Sequence, residues 1–175
     1  MAVIKPFKSI RPRKGLEDKI AALPYDVYNR SEAKQAVKDN PLSFLNIDRP
    51  ETQYDDDFDM YSDESYQTAA RLLDGMLERN EYIRDDKAYY YIYELTMNGR
   101  AQTGIVAVAS VDDYINETIK KHENTRADKE LDRIRHVDTL SAQTGPIFLA
   151  YKSNEAINSI VDKVKTTEPL YDFVS

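Results

Sequence analysis

The sequence predicts an α+β fold: a mixed, largely antiparallel sheet with a central hairpin, flanked by helices. Three observations lead there. Asn98-Gly99 falls between two apolar runs, the strongest short hairpin signal, because both turn positions need positive φ. Tyr66, Ala69, Ala70, Leu73, Met76 and Leu77 recur at helical spacing. The 175 residues are 41% hydrophobic and 31% charged, which suits a chain that buries a core.

The elements follow in order. Residues 3–10 read as a short strand, bent or held at an edge by Pro6. Residues 16–22 fit one or two helical turns that end before Leu23-Pro24, since the residue ahead of proline leaves the helical region. Pro24-Tyr-Asp-Val27 is an ordered turn in which Asp26 can cap backbone amides. Ser31 is the expected N-cap of a helix to about Lys38, stopped by Asn40-Pro41. Residues 43–47 are apolar and short enough for a strand. Ser62 or Asp63 opens the helix that runs to Asn80.

Strands are expected over 88–97 and 101–111. The second is apolar on both faces, so it is expected at the centre of the sheet, covered on both sides. A helix over 126–142, a strand over 146–151 after a turn at Gly145, and a helix over 154–165 complete a single expected domain over 1–175.

The net charge of −7 leaves no broad basic surface for phosphate backbones, so no nucleic-acid partner is expected. No run approaches the ~18 apolar residues of a membrane helix, and no secretory pattern opens the chain. The absence of cysteine removes disulfides, Cys-based zinc sites and thiol nucleophiles. A cytoplasmic protein without a membrane partner is the expectation. The acidic run 51–64 holds seven carboxylates and no Lys or Arg. Without EF-hand glycine spacing it reads as a solvated loop, and no metal site is expected. Dinucleotide, P-loop and nucleophile-elbow motifs are all missing.

Chemistry concentrates in Lys120-Lys-His-Glu-Asn-Thr-Arg126 and on to His136, a stretch that contains both histidines of the chain. On a helix, Asp128, Asp132 and His136 stand four residues apart, with Lys129 and Arg133 in the neighbouring row. Leu131, Ile134 and Val137 lie opposite, so the apolar stripe is expected inward and the charged face toward a cleft. A carboxylate beside His136 would favour its imidazolium, and Arg126, Lys129 and Arg133 suit an anion such as phosphate. Glu123 is a candidate general base. The same pattern also describes a surface helix laced with ion pairs.

Seven ordered segments resemble the bacterial family called domain of unknown function 1015. They are Ile4-Lys-Pro-Phe-Lys-Ser-Ile-Arg-Pro12, Leu23-Pro-Tyr-Asp-Val27, Asn40-Pro-Leu-Ser-Phe-Leu45, Gln102-Thr-Gly104, Lys121-His-Glu-Asn-Thr-Arg126, Asp132-Arg-Ile-Arg-His136 and Thr144-Gly-Pro-Ile-Phe-Leu149. Members of that family are about twice this length and carry an Asp-Gly-His-His-Arg motif in their second half. The resemblance therefore implies the N-terminal part of a longer protein.

That motif is in turn similar to one in free-serine kinases of the ParB/sulfiredoxin-like superfamily. By this remote link the resemblance implies a small-molecule phosphotransferase using ATP or ADP with Mg. The family's motif positions here include Tyr25, Asp26, His122, Glu123, Thr125, Arg126, Asp132, Arg133 and His136; Glu123 and His136 are the candidates for catalysis and the others for binding substrate or phosphate. A non-catalytic binding or scaffolding module is the alternative. The expected partners are a small-molecule ligand and, through a surface left by a missing half, a second copy of the chain.

Overall fold

The computed structural model describes every residue except Met1, Glu123 and Ser175. The helices are α1 (Glu17–Ile20), α2 (Arg30–Val37), α3 (Leu45–Asp48), α4 (Asp63–Glu78), α5 (Val111–Ile115), α6 (Ala127–Leu140) and α7 (Glu155–Lys165). The strands are β1 (Ile4–Lys5), β2 (Ile10–Pro12), β3 (Tyr82–Arg84), β4 (Tyr91–Met97), β5 (Arg100–Val106) and β6 (Val108–Ala109). The class is α+β. Among the described residues no helix is long and apolar enough to cross a membrane.

The chain divides into two compact units. A helical unit comprises Pro12–Ile83, Thr125–Phe148 and Tyr171–Ser175, and a strand-rich unit comprises Met1–Arg11, Arg84–Asn124 and Leu149–Leu170.

In the helical unit, Ala33, Val37 and Leu45 form a buried cluster against which Tyr25 and Tyr28 pack. α2 starts two residues earlier than expected, because Asn29 and not Ser31 is its cap. The Asn29 side chain accepts from Glu32 N at 3.0 Å, and Glu32 Oε2 accepts from Asn29 N at 2.9 Å. This reciprocal capping box satisfies two amides at once. Ser62 caps α4 as expected, accepting from Ser65 N.

Residues 43–47 are not a strand: they lead into α3. Ser43 Oγ accepts from Leu45 N, and Asn46 Nδ2 donates to the carbonyls of Asn40, Pro41 and Ser43. With local backbone served by side chains, the segment needs no sheet partner, and Leu45 and Ile47 enter the core. Most of the acidic run is exposed, as expected, but Glu51 is only 1% exposed.

In the strand-rich unit, β4 and β5 pair antiparallel from Tyr91↔Val106 to Met97↔Arg100. Asn98 and Gly99 both have positive φ, 53° and 75°, as the turn requires. Among the described residues the expected single sheet around this hairpin is absent. β4–β5 is a ladder of its own, and β1 pairs only with β6. The hairpin is accordingly uncovered: Tyr93, Leu95 and Met97 are exposed. Residues 146–151 are not a strand either; without a ladder partner an apolar run has nothing to hold it extended. α7 follows, with Asn154 accepting from Ala156 N and Ile157 N.

Candidate functional site

α6 turns its charged face inward. Asp132 and His136 are buried, whereas Leu131 and Ile134 are 60% and 51% exposed, the reverse of the expected orientation. The reversal holds because the polar groups meet ready partners. Tyr66 Oη, on α4, donates to Asp132 Oδ1 at 2.8 Å. Arg133 Nε and Nη2 donate to Asp132 Oδ2 at 3.1 and 2.9 Å. His136 Nε2 lies 3.0 Å from the Ile47 carbonyl. A carbonyl only accepts, so Nε2 carries the hydrogen and the neutral ring leaves Nδ1 as an acceptor, 3.4 Å from Thr144 Oγ1.

Burial depresses the His136 pKa below its ordinary value, outweighing the hydrogen bond to Ile47 and the nearby Asp132 carboxylate, both of which raise it. The expected imidazolium is therefore a neutral ring. Burial also raises the Tyr66 phenol, helped by the carboxylate it donates to.

These side chains line a cavity of about 460 Å³ within the helical unit. The Arg133 guanidinium lies over the Tyr25 ring, 4.5 Å from its centroid. Its Nη1 is 3.9 Å from Asp48 Oδ1, beyond hydrogen-bond reach. Burial pushes the Asp48 carboxyl up to about 6, against the opposing pull of Arg133 and a hydrogen bond with Thr144. Lys129 Nζ donates to Tyr61 Oη at 3.1 Å.

The far wall holds a buried ion pair, Arg49 Nε to Glu51 Oε1 at 2.5 Å. Arg49 Nη1 also donates to the carbonyls of Tyr25 and Tyr28, at 3.0 and 2.7 Å. It thereby fixes the short 3₁₀ turn Tyr25–Val27 that carries Asp26.

Five of the expected site residues therefore share one cavity: Tyr25, Asp26, Asp132, Arg133 and His136. Thr125 and Arg126 do not line it; Arg126 is exposed and grips Asp128 through two hydrogen bonds. His122 is exposed in the strand-rich unit. Glu123 lies outside the described residues.

Sequence reasoning missed Asp48, Arg49, Glu51, Tyr61, Ser65 and Tyr66 as lining residues. A signal existed for three of them. Asp48-Arg-Pro-Glu51 sets charges against an apolar run, a place where burial demands pairing. Among the described residues, no group of three or more His, Asp or Glu side chains is placed to hold a metal.

Fold and site together define an α+β protein whose helical unit contains a mixed-charge cavity within the ~300–1,000 Å³ range of small-molecule sites. The family model described as protein of unknown function (DUF1015) matches residues 4–175, and the chain belongs to that family. No curated protein and no solved structure matches it.

Proposed function

We propose that the helical unit binds a small anionic molecule in this cavity, with Arg133 as the principal contact and Lys129 as the second. One observation carries the reading: Arg133 is held on two sides and has no hydrogen bond on the third, where the Asp48 carboxylate stands 3.9 Å away. Asp132 fixes Nε and Nη2, Tyr66 fixes Asp132, and the Tyr25 ring supports the guanidinium plane, while Nη1 makes no hydrogen bond. A cation whose rotamer is already fixed binds an anion without losing side-chain entropy. Lys129 is steadied in the same manner by Tyr61.

Titrating inorganic phosphate into the protein tests this. Arg133→Met should weaken binding by tenfold or more and Lys129→Met by less. Arg126→Ala, outside the cavity, should leave it unchanged; an equal loss in the Arg126 variant would refute the cavity as the binding site.

A finer reading is phosphotransfer to a small hydroxyl compound. The observation favouring it is that a carboxylate, Asp26, and the Arg133 cation line the same cavity. Asp26 would take the proton of the attacking hydroxyl while Arg133 steadies the transferred phosphoryl group. His136, buried with a carbonyl on Nε2, would act as a positioning residue between α3 and α6. The phosphoryl group would come from ATP or ADP, whose terminal P–O bond breaks as the new one forms and whose remaining nucleotide leaves with that oxygen. Phosphotransfer from ATP or ADP to free serine, compared among wild type, Asp26→Asn and Glu123→Gln, separates the two candidate bases. Phosphate binding without any transfer would leave the non-catalytic module.

A further inference from the structure

Two buried polar atoms among the residues lining the cavity have no hydrogen-bond partner, Asp48 Oδ1 and Ser65 Oγ. Ser65, in the first turn of α4, is 0% exposed, and the Asp48 side chain, at the end of α3, is 12% exposed. Buried polar groups are nearly always satisfied. Two orphans on residues of one cavity, near an Arg133 Nη1 that makes no hydrogen bond, are groups a bound molecule could satisfy.

Resting on the anion-binding reading above, we propose that Asp48 and Ser65 form a hydroxyl-recognition subsite, so that the cavity takes a small hydroxylated anion, a polyol or sugar bearing phosphate or carboxylate. The chemistry of the three groups selects this class. Ser65 Oγ can donate and accept, which a ligand hydroxyl matches and an ammonium, donor only, does not. An ammonium placed at Asp48 would also stand beside the Arg133 guanidinium. A second anion would face the Asp48 carboxylate, and an apolar group would leave both orphans unpaired. A carboxyl that titrates at about 6 pairs with a hydroxyl in either state, accepting when ionised and donating when protonated.

The test compares inorganic phosphate, glycerol 3-phosphate and phosphoethanolamine by calorimetric titration of the full chain. Glycerol 3-phosphate should bind at least tenfold tighter than phosphate, phosphoethanolamine should show no such gain, and both Ser65→Ala and Asp48→Asn should remove the advantage, glycerol 3-phosphate then binding no tighter than phosphate in either variant. Ser65→Ala removes an unpaired hydroxyl, so the variant is expected to fold. Several results would overturn the proposal and spare the anion-binding reading. One is phosphate binding that depends on Arg133 with no gain from glycerol 3-phosphate. Others are a gain that persists in both variants, or tighter binding of phosphoethanolamine. Failure of all three probes to bind would overturn the anion-binding reading and the subsite with it.

Discussion

All of the buried side chains among the described residues, from Ile20 to Leu140, belong to the helical unit, whereas the strand-rich unit buries none. Both have regular structure, so backbone pairing alone does not separate them. The difference is what the side chains meet. In the helical unit even a histidine and an aspartate are packed away because tyrosine, arginine and carbonyl partners await them. In the strand-rich unit the hairpin is fully paired along its backbone while Tyr93, Leu95 and Met97 face outward. Hydrogen-bonded strands without a buried face are only marginally stable.

The largest expected contrast is in amide exchange. Amides of α4 should exchange roughly a hundredfold or more slowly than those of β4 and β5, because opening the hairpin exposes no core. Equal protection in hydrogen–deuterium exchange would break the comparison.

Ion pairs should divide the same way. Glu51→Ala strands the buried Arg49 and should cost about 3–5 kcal/mol in denaturant unfolding. Glu94→Ala removes the exposed partner of Lys165 and Thr103 and should leave stability unchanged within error. Apolar truncation gives a third contrast. Leu45→Ala, at 1% exposure, should cost about 2–5 kcal/mol, whereas Leu95→Ala, at 51% exposure, should cost about 0.5 kcal/mol or less.

A smaller effect sharpens the picture inside the helical unit. Asp48 binds its proton more tightly when folded, so its contribution is unfavourable above about pH 6 and vanishes below the unfolded value of 3.8. Asp48→Asn should therefore raise stability at pH 8 by up to about 3 kcal/mol and change little at pH 3.5. His136 has the opposite sign. Its folded pKa is depressed, so its contribution is complete above the unfolded 6.5 and lost as pH falls. Just below pH 6 the two slopes oppose each other in the wild type, and the Asp48→Asn variant should reveal the downward histidine slope. Unfolding curves at several pH values measure both.

What was legible in the sequence was local. The hairpin turn and the Ser62 cap depend on residues within a few positions of each other, and both are present. The inward face of α6 was not legible, because apolar periodicity assumes that charge lacks a buried partner. The partners here lie far along the chain: Tyr66 is 66 residues from Asp132, and Ile47 is 89 from His136. The candidate site divides likewise. Asp132, Arg133 and His136 stood out by helical spacing, whereas Ser65 matters only because the assembled wall leaves its hydroxyl unanswered.

The grip of Arg49 on the Tyr25 and Tyr28 carbonyls has a kinetic consequence. That turn forms one wall of the cavity, and it cannot swing away without stripping a buried guanidinium of its acceptors. The wall is a fixed jamb, not a door. A ligand reaching Arg133 would enter past a surface already in its bound shape, so its arrival rate should follow diffusion and local charge with no waiting step set by loop opening.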